Sequence, residues 1–195
     1  MSIINTLVEG DLDEAAAVKL VRDTHHVPGV CYGKRGWGYI RNKIQGFNQA
    51  ARALHCLTLV NFMDTGLPCP AEVVEQWLPH RQPRMLFRVV VQELESWLIA
   101  DRGNLADFLS VDVAFVPMGP EQLEDPKQEL INIARHSRRK QIRSAVVPEA
   151  GSTAQVGKLY VSEMMRFIET RWDIQIARTN APSLNQCLLA LEALP

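Results

Sequence analysis

The stretch Leu57-Thr58-Leu59-Val60-Asn61-Phe62-Met63-Asp64-Thr65-Gly66 is the clearest strand signal in this chain. The strand signal runs from Leu57 to Met63 and is followed by Asp64-Thr65-Gly66, a turn-like tripeptide. A short apolar run that ends at a turn is typical of a strand buried on both faces. The stretch therefore predicts a buried strand that places the carboxylate of Asp64 at its carboxyl end.

Two other apolar runs have a similar form. The run from Ile3 to Val8 ends at Glu9-Gly10, and the run from Met85 to Val91 is interrupted only by Arg88. A shorter run, Val30 to Tyr32, predicts a brief additional strand. Helical patterns separate these runs, and strands that alternate with helices favour an α/β fold built on a parallel sheet.

The helices between these strands have recognisable start signals. Asp11 and Glu14 have the spacing of a capping box, which predicts Asp11 as the N-cap residue. Pro70 predicts the start of another helix, because proline is tolerated in the first helical turn. The predicted helices of this half run from residue 11 to about 22, from 39 to 54, from 70 onward, and from 93 to 100.

Beyond Asp101 the pattern is mainly helical. Helices are predicted over 104–109, 126–136 and 159–170, and a closing helix reaches 194 after a capping box at Ser183. Val113 to Val116 predicts an edge strand, and residues 137–157 predict a polar, basic loop. The chain is thus predicted to form one domain, with a sheet core over about 1–110 and a helical extension over about 111–195.

Composition restricts the function classes. The chain has 195 residues, is 47% hydrophobic and 22% charged, and carries a formal net charge of -1, so any site for a polyanion must be a local patch. Its four cysteines form no C-x-x-C pair, which argues against a zinc site, and scattered thiols favour a cytoplasmic protein. Neither a signal peptide nor an apolar run of about 20 residues is present, so no membrane association is expected.

Three carboxylates are predicted to meet at one edge of the sheet. Glu9 and Asp64 follow buried strands, and Glu95 lies in the first turn of a helix after the run that ends at Val91. The carboxyl edge is where open α/β sheets bind ligands, and Mg²⁺ is the usual partner of clustered carboxylates. Taken singly, Glu9 and Asp64 are better explained as turn residues, and Glu95 has the alternative explanation of a favourable charge at a helix start. Asp101 is a weaker candidate, since it is equally explained as a cap for the next helix.

Cations suggest where a phosphate would bind. Arg135, Arg138, Arg139, Lys140 and Arg143 place five cations within nine residues, a pattern that suits contacts with a nucleic-acid backbone or simply a solvated surface. A second small patch consists of Lys34 and Arg35 beside Trp37. Lys127 begins a predicted helix, where it opposes the helix dipole, and it would either hold a phosphate or be solvated.

The motifs together resemble a known family. Leu7-Val8-Glu9-Gly10, Asp64, the segment Glu95 to Asp101, Asp125-Pro126-Lys127 and Ser183-Leu184 occur in this order across nearly the whole chain. The chain resembles small uncharacterised bacterial Toprim-like proteins, grouped as a domain of unknown function and related to Toprim nucleases of the overcoming-lysogenisation-defect type. The resemblance implies a Toprim-like α/β fold, a Mg²⁺ (or Mn²⁺) site and nuclease-like chemistry, often encoded beside an ATPase in anti-phage defence.

The resemblance also implies residue roles. Glu9 would be a general acid/base or a metal ligand, Asp64 and Glu95 would be metal ligands, and Asp101 and Lys127 would support them. One departure stands out: the first acid of the family's Asp-x-Asp pattern falls on Phe62, which cannot bind Mg²⁺. Either the site works with fewer carboxylates, or metal binding and catalysis are lost.

Two main functions therefore remain open. The leading prediction is a Mg²⁺-dependent nuclease, and the alternative is a non-catalytic Toprim-like subunit that binds nucleic acid or an ATPase partner. A flavodoxin-like small-molecule binder is a third prediction, weakened because no Ser/Thr-rich phosphate loop follows the first predicted strand. The sequence leaves open whether the chain forms a homodimer and whether its nucleic acid would be DNA or RNA.

Overall fold

The computed structural model describes all residues 1–195. Contacts divide the chain into two compact units, which are described separately. The first unit comprises residues 1–94 and 182–195, and the second comprises residues 95–181. The single domain predicted from the sequence stays a prediction.

A four-stranded parallel sheet forms the centre of the first unit. Its strands are β1 (Ile3–Val8), β2 (Val27–Gly33), β3 (His55–Asn61) and β4 (Met85–Val90). They are arranged in the order β2-β1-β3-β4, and every neighbouring pair is parallel. The predicted α/β class with a parallel sheet flanked by helices and followed by a helical C-terminal extension is confirmed.

Helices cover both faces of this sheet. They are α1 (Asp11–Asp23), α2 (Gly36–Ala50), α3 (Pro70–Trp77) and α10 (Pro182–Glu192). On one face, α2 and α3 pack onto a core cluster that includes stacked Trp37, Trp77 and Phe87, with centroid separations of 6.2 and 6.1 Å. Right-handed crossovers place α1 on the opposite face, and α10 packs on β4. Burial on both faces explains why β3 and β4 read as nearly continuous apolar runs.

A tight loop holds the carboxyl end of β2 against that of β1. The Lys34 amide donates to the Val8 carbonyl at 2.9 Å, and the Gly36 amide donates to the Glu9 carbonyl at 3.0 Å. Gly33 has a φ of 99°, which favours glycine, and a Cβ atom there would collide with the Val8 carbonyl oxygen. The loop therefore fixes the backbone on both sides of Glu9.

The second unit is helical. Its helices are α4 (Leu94–Ala100, which starts at the last residue of the first unit), α5 (Arg102–Leu109), α6 (Pro126–Arg135), α7 (Lys140–Val146), α8 (Tyr160–Thr170) and α9 (Ile174–Ala177). Large buried aromatic rings fill its core. Phe108 lies 5.2 Å from Phe167 between ring centroids, and the buried Trp172 indole donates to the Trp97 carbonyl at 3.1 Å. Aromatic packing of this kind lets a small helical unit bury a large apolar area.

Two predicted elements of this unit are wrong. Val113–Phe115 is a 3-10 turn rather than an edge strand, because Asp112 caps it through the Ala114 amide and Arg102 binds the Val116 carbonyl. The predicted loop over 137–157 contains α7, whose buried residues are Ile142, Ala145 and Val146. Their spacing of three and four residues is helical, but the surrounding charges obscure it in the sequence.

A third correction concerns the start of α1. The N-cap residue is Gly10 rather than Asp11, and no side chain caps the helix there. Glu14 binds Lys34 instead of closing a capping box, because the loop after β2 brings the lysine to the first turn of α1. All four cysteines are free thiols. No helix has the length and apolar character needed to cross a membrane.

The contacts of Gly33 predict a large difference between two neighbouring glycines. Gly33→Ala should destabilise the protein on the order of 3 kcal/mol, because it combines a positive φ with a clash against the backbone. Gly36→Ala is the matched control: Gly36 also has a positive φ, 74°, but a Cβ atom there meets open space. It should cost about 1 kcal/mol. Urea denaturation of both variants measures the difference, and equal losses would contradict the proposed clash.

Candidate functional site

The carboxyl ends of β1 and β3 form the first candidate site. The connection that leaves β1 leads to β2 at one edge of the sheet, and the connection that leaves β3 leads to β4 at the opposite edge. The neighbouring ends of β1 and β3 therefore lie at a topological switch point. Open α/β sheets bind ligands at such points. Glu9 follows β1 directly, and its Oε1 atom accepts a hydrogen bond of 2.5 Å from the amide of Asn61, the last residue of β3. The fold therefore joins the ends of the two strands through Glu9.

Two residues that the sequence did not single out complete this edge. Asp13 is buried in the first turn of α1, where its negative charge is favoured by the helix dipole. Asn61 Nδ2 lies 3.4 Å from Asp13 Oδ1, and the buried Asn61 Oδ1 atom has no hydrogen-bond partner. Asp13 lies four positions after Glu9, in the first turn of α1. A polar residue closing an apolar strand was the only signal for Asn61.

Asp64 lies beyond the strand. β3 ends at Asn61, and Asp64 is exposed in a 3-10 turn, Met63–Thr65, that Gly66 closes with a φ of 66°. Phe62 packs against the core cluster, and its amide donates to the Val90 carbonyl at 2.9 Å. Because both residues lie after the end of β3, the alternation of side chains along a strand does not place Phe62 and Asp64 on the same face. Asn61 is the residue at the end of β3.

The cations near this edge have partners of their own. Lys34 Nζ lies 3.0 Å from Glu14 Oε2 and 3.3 Å from Asp11 Oδ1. The hydrogen bonds to Glu14 and Asp11 raise the pKa of Lys34. The exposed Arg35 guanidinium lies 5.5 Å from the ring centroid of Tyr39. Lys34 thus neutralises local acids, which weakens its predicted role in binding nucleic acid.

In the second unit, Glu95 is a buried residue that forms a triad with Tyr160 and Lys127. Its side chain is 3% exposed, and Oε1 accepts a hydrogen bond of 2.9 Å from the Tyr160 hydroxyl. Lys127 Nζ lies 3.6 Å from the same oxygen, and its side chain is 38% exposed. Asp125 caps α6 through the Gln128 amide and so positions Lys127 in the first turn. The fold therefore brings together two of the predicted residues, Glu95 and Lys127.

Asp101 has structural contacts. It is fully buried, and its carboxylate accepts hydrogen bonds from the Asn104 side chain at 2.9 and 3.1 Å and from the Asp173 amide at 2.7 Å. These bonds tie the start of α5 to the start of α9 within the second unit. Such contacts account for a buried carboxylate without a metal.

The predicted metal ligands are divided between the units. Glu9 and Asp64 belong to the first unit, whereas Glu95 and Asp101 belong to the second. The structure contains no group of three or more His, Cys, Asp or Glu side chains that could hold a metal ion. A Mg²⁺ or Mn²⁺ site therefore stays a prediction.

The basic segment separates into structural and exposed cations. Arg143 Nη1 donates to the Ser137 carbonyl and so stabilises the connection between α6 and α7. The remaining four cations are exposed and form no ion pair: Arg135, Arg138, Arg139 and Lys140. They concentrate positive charge around one helix connection.

An aromatic pair adjoins these cations. The rings of Phe115 and His136 stack with a centroid separation of 4.0 Å and an interplanar angle of 9°. Phe115 is 46% exposed, and His136 lies between Arg135 and Arg138 in the chain. No sequence motif connects the two rings, because they are 21 residues apart and become neighbours only in the folded unit.

Comparisons with protein-family models, curated proteins and solved structures find no match for this chain. The Toprim-like resemblance therefore stays a prediction, supported only by its short motifs.

The Glu95 triad predicts a measurable coupling. Tyr160→Phe should destabilise the protein by about 1–3 kcal/mol, because it removes a hydrogen bond from a buried carboxylate. Glu95→Gln should reduce the cost of Tyr160→Phe, since a neutral amide depends less on the hydroxyl. A double-mutant cycle measured by urea denaturation gives the coupling. Additive losses would show that the Tyr160 hydroxyl does not stabilise the Glu95 charge.

Proposed function

We propose that the protein binds nucleic acid through a basic surface on its second unit, defined by Arg135, Arg138, Arg139 and Lys140. The observation that carries this proposal is that none of these four exposed cations has an acidic partner. In the same unit, Lys158 pairs with Glu149 and Arg166 pairs with Glu163. Unpaired cations at one connection create a local positive potential in a chain of net charge -1, as phosphate binding requires.

The stacked pair Phe115 and His136 supports single-stranded nucleic acid as the ligand. Bases of a single strand can stack on exposed aromatic faces, and each such contact contributes about 1–3 kcal/mol. Bases paired within a duplex do not present their faces in this way. Cations next to an aromatic face fit a strand whose phosphates and bases are both accessible. The ATPase partner that the resemblance implies remains a second prediction.

The binding proposal is tested by removing charge from the basic surface. The variant Arg138→Gln/Arg139→Gln/Lys140→Gln should weaken binding of fluorescent oligonucleotides of every sequence. The slope of log K against log salt should fall by about two, because each lost phosphate contact contributes about 0.7 on single strands. Fluorescence anisotropy at several salt concentrations measures both effects.

A matched control removes three cations of the same unit that already have partners. Lys158, Arg166 and Arg178 bind Glu149, Glu163 and Gln175. Changing all three to Gln alters the net charge equally and should leave the salt slope unchanged. An equal loss in both triple variants would mean that only total charge matters, and the proposed surface would be rejected.

The aromatic pair gives a separate prediction. Phe115→Ala should weaken binding of single strands by about 5- to 150-fold, because it removes a stacking surface, and should hardly affect duplex binding. Competition between single-stranded and duplex oligonucleotides of one sequence measures this preference. Phe115→Tyr keeps the ring and serves as the control. An equal loss for both ligands would contradict base stacking.

We propose phosphodiester cleavage as a second candidate function. It is favoured by Glu9, Asp13 and Asn61 gathering at a topological switch point, with the Asn61 Oδ1 atom lacking a partner. Mg²⁺ commonly takes only one or two carboxylates from the protein and keeps several waters, so the oxygens of these residues would suit it. When bound, such an ion would activate water and stabilise charge at phosphorus.

A cleavage assay separates the two candidate functions. If the protein is a nuclease, cleavage of labelled DNA or RNA should require added Mg²⁺ or Mn²⁺ and should be lost in Glu9→Gln. Glu14→Gln, which removes the charge that pairs with Lys34, should retain activity. Cleavage in excess chelator, or by Glu9→Gln at the parent rate, would remove this second candidate and leave the binding proposal intact.

A further inference from the structure

A cleft of about 670 Å³ lies entirely within the first unit. It follows β4, which is an edge strand because it pairs only with β3, and α3 and α10 contribute its walls. Its apolar lining includes Pro70, Val74, Leu78 and Phe87. Concave, mainly apolar sites of roughly 300–1,000 Å³ are typical of small-ligand pockets. Neither candidate function uses this cleft.

One arginine in the lining of the cleft, Arg88, has a buried donor without a partner. Arg88 lies on β4 and lines the cleft together with Arg81, Ser183 and Gln186. The Nε atom of Arg88 is buried and has no hydrogen-bond acceptor. The Ser183 hydroxyl accepts a hydrogen bond of 3.3 Å from the backbone amide of Val91. A buried guanidinium donor without an acceptor is costly, because the lost hydration is not replaced.

The nearby ionisable groups do not compensate the charge of Arg88. Burial lowers the pKa of its guanidinium, and the positive charge of Arg81 lowers that pKa further, whereas Cys187 acts in the opposite direction. Burial raises the pKa of Cys187 to about 12, so its thiol is uncharged at neutral pH and provides no counter-charge. Two cations therefore face a cleft in which Glu75 is the only acid, and Glu75 forms no ion pair with either.

We propose that this cleft binds a ligand that joins one carboxylate group to an apolar body. The planar guanidinium of an arginine presents paired N–H donors, including those of its two Nη atoms, which match the two oxygens of a carboxylate. Glu75 adds a negative charge to the cleft, which favours a monoanion over a phosphomonoester. The apolar lining accommodates the remainder of the ligand. Such a carboxylate occurs in small organic acids and at the C-terminus of a peptide, and the test distinguishes these two sources.

The proposal is tested by NMR titration of the intact chain. The probes are 4-phenylbutyrate and its neutral counterpart 4-phenylbutanamide, followed by a pentapeptide ending in phenylalanine with a free or an amidated C-terminus. At least one acid should shift the Arg88 Nε–H resonance and bind about ten- to one-hundred-fold more tightly than its amide, because the charged hydrogen bonds are lost in the amide. Tighter binding of the small acid or of the free peptide identifies the source.

Variants establish whether Arg88 itself is responsible. Arg88→Gln should reduce the affinity for the acid by more than about tenfold, and Arg88→Lys should restore it only in part, since lysine lacks the fork. Arg52→Gln, which removes an exposed cation outside the cleft, is the control and should bind as the parent does. Failure of all four probes to bind at millimolar concentration, equal affinity for acids and amides, or unchanged affinity in Arg88→Gln would overturn the proposal.

A stability measurement confirms that the variants report on binding. Arg88→Met removes the buried donor but keeps a long apolar side chain, so its Tm should equal or exceed that of the parent. Loss of acid binding in a variant of undiminished Tm supports the proposed site. A marked fall in Tm would show that the guanidinium stabilises the fold, and the proposal that it awaits a ligand would be abandoned.

Discussion

The position of β1 between β2 and β3 is the constraint on which the first unit depends. Parallel pairing on both sides buries most of β1, and successive right-handed crossovers then place α1 on one face and α2 on the other. The same arrangement makes the carboxyl ends of β1 and β3 a topological switch point. Glu9 lies at that point and accepts a hydrogen bond from the amide of Asn61. The position in the fold that most favours a ligand therefore already holds a carboxylate.

The buried carboxylates of the second unit have partners, whereas its exposed cluster of cations has none. The buried carboxylates have specific partners. Glu95 accepts a hydrogen bond from Tyr160 and pairs with Lys127. Asp101 accepts hydrogen bonds from the Asn104 side chain and the Asp173 amide. These contacts stabilise the folded unit, because an unpaired buried charge would be prohibitively costly. The exposed cations between α6 and α7 have no such partners. Because the charge of these cations is not neutralised within the protein, it is available to phosphates, and this surface is the one that we propose for nucleic-acid binding.

Arg88 and the Asn61 amide oxygen are the two buried polar groups of the first unit that bear most directly on ligands. Asn61 is the last residue of β3, and Arg88 lies on β4, the edge strand of the sheet. At such positions regular backbone pairing stops, and side chains can face a cavity or a crevice. Neither Arg88 Nε nor Asn61 Oδ1 has a hydrogen-bond partner. Ligand sites at such positions follow from sheet geometry, since the interior of a fully paired sheet offers no open polar groups.

The sequence alone determined the sheet and most of its helices, because apolar runs and helical periodicity are local signals that burial on both faces makes strong. It also identified Glu9, Glu95 and Lys127 as residues at element ends. Only the tertiary structure joined Lys127 to Glu95, placed Asp13 beside Asn61 and stacked Phe115 on His136, since each pair is distant in the chain. It also revealed α7 and the 3-10 turn after Asp112, where local charge or apolar content gave the wrong signal. The partners of a side chain depend on which elements pack together, and local sequence patterns do not encode that packing.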